Sequence, residues 1–145
     1  MEVIVKEVPI EEVVKVNATI TEFDEPYQKN YFEERYGDKE KLIIVAYLDK
    51  IPAGYIVGYD KDNDSSFYCW MAGVNPQFRR KGILTSLMNY QEKWAKEKRY
   101  TKIKIKTRNN RREMLSYLLK SGFYFYQVDQ QKNIEDNRIL LEKPI

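Results

Sequence analysis

Val74-Asn75-Pro76-Gln77-Phe78-Arg79-Arg80-Lys81-Gly82-Ile83-Leu84-Thr85 reads as a strand end, a short basic loop holding one glycine, and the first turn of a helix. Ahead of it lies the aromatic, β-prone run Phe67-Tyr68-Cys69-Trp70-Met71, and behind it an amphipathic segment continues to about Lys98. A helix N-terminus offers backbone N–H groups without intrahelical partners and a partial positive charge. With Arg79, Arg80 and Lys81 alongside, this makes a site for a phosphorylated ligand. Gly82 lets the backbone approach that ligand with no Cβ in the way. Taken alone, Arg-x-x-Gly fits a basic helix cap that binds nothing equally well, so the flanking elements decide.

Downstream, Ile83, Leu84, Leu87, Met88, Gln91, Trp94 and Ala95 fall at helical spacing and form a core-facing stripe. Residues 101–107 alternate Thr-Lys-Ile-Lys-Ile-Lys-Thr and predict a strand with one buried face and a solvated lysine face. Asn109 or Asn110 is placed to cap the next helix, which turns Met114, Leu115, Leu118 and Leu119 inward and stops at Gly122. Two final strands, at 123–128 and 137–142, flank a polar hairpin loop.

Upstream, residues 42–48 are a nearly continuous apolar run, hence a buried strand. Asp49-Lys50 is a two-residue turn, and residues 51–59 return as the hairpin partner. The polar loop at 60–66 has Asp/Asn spacing but lacks the glycine and terminal glutamate of a calcium loop. Residues 3–8 predict a first strand. Pro9 opens a helix with Glu11 and Glu12 in its first turn, and Pro26 opens a second helix ending at Gly37. Tyr27, Tyr31 and Arg35 then share one face.

At 145 residues the chain is most simply one domain, spanning 1–145. No apolar run of about 18 residues and no leader pattern is visible, which predicts neither a membrane span nor a signal peptide. Cys69 is the one cysteine, which excludes an intrachain disulfide and fits a reducing, cytoplasmic setting. The chain has no histidine, so a His-based triad is impossible and no metal site is expected. An excess of 25 Lys+Arg over 22 Asp+Glu gives no bulk-charge argument for nucleic-acid binding.

The succession strand, Val-x-Pro, Arg79-Arg80-Lys81-Gly82-Ile83, amphipathic helix resembles the acetyl-CoA-binding motif of the GNAT (GCN5-related) N-acetyltransferases, Q/R-x-x-G-x-G/A. It runs here from Arg79 through Gly82, with Leu84 where the family has Gly or Ala. The order β-α-α-β-β-β-α-β-α-β-β matches the family over nearly the whole chain. The resemblance implies an α/β (α+β) fold, with a mixed, mostly antiparallel sheet of about seven strands and four helices. It also implies acetyl transfer from acetyl-CoA to a primary amine of a small molecule or protein, by direct attack through a tetrahedral intermediate. The pantetheine arm would lie where the fourth and fifth strands part, beside the backbone of Ala72, Gly73 and Val74. The phosphates would sit on residues 79–85: Arg79, Arg80, Lys81, Gly82, Ile83, Leu84 and Thr85. Gly73 suits a bulge, a close ligand approach or simple packing. Many relatives pair, so a homodimer is part of what the resemblance implies.

The attacking amine must lose a proton, and Tyr68, Glu22, Asp24 and Glu25 are the acceptors the chain offers. The three carboxylates also suggest a cationic amine, and the connection that holds them is where the resemblance places the acceptor pocket. The resemblance supplies a tyrosine as proton donor to the departing thiolate. Counted forward from Asn110 this position is Tyr117; counted back from Gly122-Phe123 it is Leu118. Asn109 or Asn110 would bond the pantetheine arm. Cys69 has no evident base beside it and reads as a buried thiol. Two other functions remain open: an acyl-CoA-binding regulatory module, and a nucleic-acid-binding domain using the basic clusters at 79–81, 102–106 and 108–112.

Overall fold

The computed structural model describes residues 2–20 and 27–145. In chain order it runs β1 (Val3–Glu7), α1 (Ile10–Asn17), α2 (Lys29–Tyr36), β2 (Lys41–Leu48), β3 (Ile51–Tyr59), β4 (Ser66–Val74), α3 (Ile83–Glu97), β5 (Lys102–Arg108), α4 (Arg112–Lys120), β6 (Tyr124–Asp129) and β7 (Arg138–Pro144). Single 3₁₀ turns stand at Pro76–Phe78 and Ile134–Asp136. The strands form a seven-stranded sheet in the order β1-β2-β3-β4-β5-β7-β6. Every pairing is antiparallel except β4 with β5. This is the mixed, mostly antiparallel α/β architecture expected from the sequence.

β2 is covered on both faces. Its Leu42, Ile44, Ala46 and Leu48 pack on the α3/α4 side, while Val45 joins the cluster beneath α1 and α2. A strand covered on both faces needs a continuous apolar run. Asp49 and Lys50 take φ of 51° and 70°, the left-handed pair a two-residue hairpin requires. On the α3 side Ile83, Leu87, Met88 and Ala95 are buried, each worth about 1.5–3 kcal/mol for the larger side chains. Gly54 of β3 is what lets α3 sit so low: a Cβ there would lie 2.8 Å from Ile83 Cγ2 and 3.3 Å from Leu87 Cδ1.

Two helix starts differ from the sequence-based expectation. α2 begins at Lys29 rather than at Pro26, because Gln28 is still extended at φ −99°, ψ 166°; Pro26 itself lies outside the described residues. α4 is not capped by Asn109 or Asn110. Arg111 holds the N-cap position without a side-chain cap, and Asn109 Nδ2 instead donates to the Ile134 carbonyl at 3.1 Å. Among the described residues no helix is long and apolar enough to cross a membrane.

Candidate functional site

The site is built by a fork in the sheet. β4 and β5 pair in parallel from Ser66↔Lys102 to Cys69↔Ile105 and no further, although β4 continues to Val74 and β5 to Arg108. The cause lies in the β3–β4 register, which skips from Val57↔Met71 to Gly58↔Cys69 and leaves Trp70 as an extra residue. A bulge bends its strand and increases the local twist. The bulge falls at the first residue past the last β4–β5 pair, so the bend and the parting coincide. Beyond it the β5-facing backbone of β4 has lost its neighbouring strand.

Alternation along β4 determines which backbone groups face the gap. The Asn75 N–H donates to the Ala53 carbonyl at 2.8 Å, and the Gly73 carbonyl stands 2.9 Å from the Cβ position of Gly54, so both turn toward β3. Ala72 and Val74, at the alternate positions, therefore present their N–H and C=O groups to the gap. Gly73 does not, and the bulge is at Trp70 rather than at Gly73. A Cβ on Gly73 would fall 2.3 Å from Ile20 Cδ1 and 3.1 Å from the Tyr55 ring, so this glycine is a packing glycine.

The loop leaving β4 is tightly specified. Asn75 Oδ1 accepts from the Gln77 N–H at 3.0 Å, which starts the 3₁₀ turn at Pro76–Phe78. Arg80 then takes φ 63° and Gly82 φ 78°, the second at the N-cap of α3. The first intrahelical bond closes from the Ser86 N–H to the Gly82 carbonyl at 3.0 Å, leaving the N–H groups of Ile83, Leu84 and Thr85 without helical partners. Nothing lies within 4 Å of the Cβ position of Gly82. Arg79, Arg80 and Lys81 are exposed. Leu84 packs its side chain against the core under α3, so the departure from Gly or Ala does not cover these amides. Open donors, an open Cβ face and three cations fit a diphosphate.

Tyr117 and Leu118 take different places. Leu118 is fully buried in the core, so counting back from Gly122 puts no hydroxyl at the site. The Tyr117 hydroxyl lies 3.2 Å from Thr85 Oγ1, joining α4 to the first turn of α3. Tyr117 and Thr85 line a cleft of about 220 Å³ between these helices, together with Asn89, Gln91 and Lys143. Of the two asparagines, Asn109 has its side chain engaged, with Oδ1 accepting from Arg112 Nη1 at 3.3 Å, while Asn110 is exposed and its backbone N–H donates to the Glu135 carbonyl at 3.0 Å.

On the opposite face of the sheet the bulge aims Trp70 into an aromatic group. Its ring lies 5.6 Å from those of Tyr31 and Phe32 and 5.8 Å from that of Tyr59, with the Arg35 guanidinium 5.1 Å above it. Tyr27 precedes α2 and so does not share a helix face with Tyr31 and Arg35 as expected; it stacks on Tyr31 at 4.3 Å instead, while Tyr31 and Arg35 both meet Trp70. Burial pushes the Tyr68 phenol up to about 12, with the Arg35 charge opposing. It is therefore protonated at neutral pH and suited to donate a hydrogen bond rather than to accept a proton. Glu22, Asp24 and Glu25 lie outside the described residues. Burial also pushes the Cys69 thiol up to about 12, which keeps it un-ionised and inert.

The sequence reading missed several residues here. Lys61, Lys106, Tyr126 and Asp129 line a smaller cleft beside Tyr68 on this face. The lysine alternation of β5 is the available signal, and along the chain it predicts only a solvated face. The basic clusters at 79–81, 102–106 and 108–112 do not join into one unpaired strip. Lys102 pairs with Glu142 at 3.0 Å, Lys104 with Asp64 at 3.2 Å, and Arg80 with Glu113 at 3.7 Å.

Comparisons with known proteins bear on the family and the fold. The model of the acetyltransferase (GNAT) family matches residues 11–123. Streptothricin acetyltransferase of Escherichia coli is 26% identical over 104 residues, covering 72% of this chain and 59% of that protein. The chain thus spans well under two thirds of that relative's length. The ribosomal-protein-S18-alanine N-acetyltransferase of Escherichia coli superposes with a TM-score of 0.84 at 11% identity, covering 99% of this chain and 94% of the other. A GNAT family acetyltransferase from Elizabethkingia anophelis, solved with acetyl-CoA bound, does so at 0.77 and 18% identity, covering 99% and 98%. With its forked sheet, its basic turn into α3 and a family match over most of its length, the chain belongs to the GNAT family of acetyltransferases.

Proposed function

We propose that this chain transfers the acetyl group of acetyl-CoA to a primary amine of a small molecule or a protein by direct attack. The observation that carries this is the fork, which opens beside the unpartnered amides at the start of α3. The amides of Ile83, Leu84 and Thr85 with Arg79, Arg80 and Lys81 hold the diphosphate. The backbone of Ala72 and Val74 pairs with the pantetheine amides in place of the missing strand. An N–H from the same pair steadies the oxyanion of the tetrahedral intermediate, a contribution typically worth roughly 3 kcal/mol.

The acceptor approaches from the Trp70 and Tyr68 face. As the amine nitrogen bonds to the acetyl carbon, its proton passes to water or to a carboxylate among Glu22, Asp24 and Glu25. The carbon–sulfur bond then breaks and the thiolate takes a proton. Tyr117 stands beside Thr85 at the phosphate end, which supports a role in holding the cofactor over one as the thiolate's proton donor. Tyr68 donates a hydrogen bond within the acceptor cleft. A homodimer formed along β6 belongs to the same reading: this strand ends the sheet and exposes Tyr124, Phe125 and Val128.

Single-turnover mixing of the protein with acetyl-CoA and a panel of primary amines tests the proposal. Stoichiometric release of free thiol with an acetylated amine is the expected result. Binding of acetyl-CoA without consumption, whatever the amine, would instead make the chain an acyl-CoA-binding regulatory module.

A further inference from the structure

The lysines of β5 are not equivalent. Lys104 is held by Asp62 at 3.4 Å and Asp64 at 3.2 Å. Lys106, two residues on, directly follows Ile105, the last β5 residue paired with β4. It therefore stands at the root of the fork, on the face shared with Tyr68. There it lines a cleft of about 100 Å³ with Lys61, Tyr68, Tyr126 and Asp129. Lys61 Nζ lies 4.9 Å above the Tyr68 ring, and Arg35 stands over Trp70 next to it. Among the described residues Lys61, Lys106 and Arg35 form no ion pair, and Arg35 Nε donates to the Tyr59 hydroxyl at 2.9 Å. Two carboxylates share the cleft: Asp62, which pairs with Lys104, and Asp129, whose Oδ1 accepts from Gln127 Nε2 at 2.7 Å and which stands opposite Arg138 in the β6–β7 register. With Asp62 and Asp64 drawn to Lys104, neither Lys61 nor Lys106 has an ion-pair partner in this small cleft, and Arg35 adds a third positive charge nearby.

We infer that this cleft takes an oxyanion, a carboxylate or a phosphate, borne by the acceptor molecule itself, so that the substrate is an amine carrying a negative group. The inference rests on the acetyl-transfer reading above and narrows its substrate class. The state of Lys106 agrees with it. Although Lys106 is an exposed residue, partial desolvation first, then the like charges of Lys61, Arg35 and Arg138, hold its ammonium below the ordinary lysine range, and Asp129 partly opposes them. An incoming oxyanion relieves that repulsion. Tyr68 and Tyr126 supply apolar walls with hydroxyl tips. A zwitterionic acceptor also accommodates the cationic amine suggested by Glu22, Asp24 and Glu25.

The test compares amines matched except for the anion: O-phosphoethanolamine against ethanolamine, and 4-aminobutanoate against 4-aminobutanamide. Each is titrated calorimetrically into the CoA-loaded protein at low salt. The anionic member of at least one pair should bind at least about tenfold tighter, as a charge-assisted contact implies. Lys106→Gln should abolish most of that preference while leaving CoA affinity unchanged. Inorganic phosphate alone should also slow trinitrobenzenesulfonate labelling of Lys106, where chloride at equal ionic strength does not. Phosphate protection without any amine acetylation would sink the acetyl-transfer reading and leave the anion site standing. Neutral amines bound as tightly as their anionic partners, a preference that survives Lys106→Gln, or labelling indifferent to phosphate would overturn the inference alone.

Discussion

The Tyr117 hydroxyl and Thr85 Oγ1 stand 3.2 Å apart, so the middle of α4 touches the first turn of α3 through a pair of hydroxyls. This places Tyr117 beside the amides proposed to carry the phosphates. A neutral hydrogen bond is worth about 0.5–1.5 kcal/mol. Tyr117→Phe should therefore raise KM for acetyl-CoA by about two- to tenfold and leave kcat within about threefold. Steady-state kinetics in both substrates checks this. A kcat loss of about a hundredfold with KM unchanged would mark the hydroxyl as the proton donor instead.

Arg80 occupies the left-handed region at φ 63°, where a non-glycine residue is disfavoured by roughly 1–2 kcal/mol. Its ion pair with Glu113 at 3.7 Å is solvent-exposed and contributes little. Arg80→Gly should thus raise the urea midpoint slightly, by up to about 1 kcal/mol in stability after the entropy of glycine is counted. The same change should weaken CoA binding. Opposite movement of stability and affinity is the signature of strain held at a ligand loop.

Gly54→Ala tests whether the floor under α3 sets the position of its N-terminus. The added Cβ would sit 2.9 Å from the Gly73 carbonyl as well as 2.8 Å from Ile83 Cγ2. Overpacking of this kind costs about 1–3 kcal/mol. Stability and CoA affinity should fall together, because raising α3 also displaces the amides of Ile83, Leu84 and Thr85.

Asp64 gives a pH prediction. It accepts from the Ser66 hydroxyl and, at 3.0 Å, from the Ser66 N–H, and these bonds lower its carboxyl to about 2. Below its ordinary value the unfolded chain binds this proton while the fold resists it. Its stabilisation is therefore complete above about pH 4 and lost as pH falls toward 2. In acid titrations monitored by circular dichroism, Asp64→Asn should flatten the stability slope across that window and change little at pH 7 relative to pH 5.

The fold was legible because its signals are local. Continuous apolar runs gave β2 and β4, strict alternation gave β5, and Asp49-Lys50 between two such runs gave the hairpin. The phosphate loop was legible for the same reason, since a basic turn with one glycine ahead of an amphipathic helix is a contiguous pattern. What was missed depends on register. Trp70 as the extra residue of a bulge follows from how β3 pairs with β4, and no single strand carries that information. The direction of the Gly73 carbonyl is likewise set across the sheet. Lys106 looks identical to Lys104 along the chain and differs only because Asp62 and Asp64 come from a separate loop. Asn109 resembled a cap until the 3₁₀ turn at Ile134–Asp136 claimed its side chain.

Calorimetric titration of acetyl-CoA into the parent protein and into Gly82→Glu bears most directly on the phosphate site at the start of α3. The parent should bind saturably, and Gly82→Glu, with a carboxylate set against those amides, should bind at least about tenfold more weakly while its circular dichroism stays unchanged. No heat of binding with the parent, or equal affinity in the two proteins, would contradict the account.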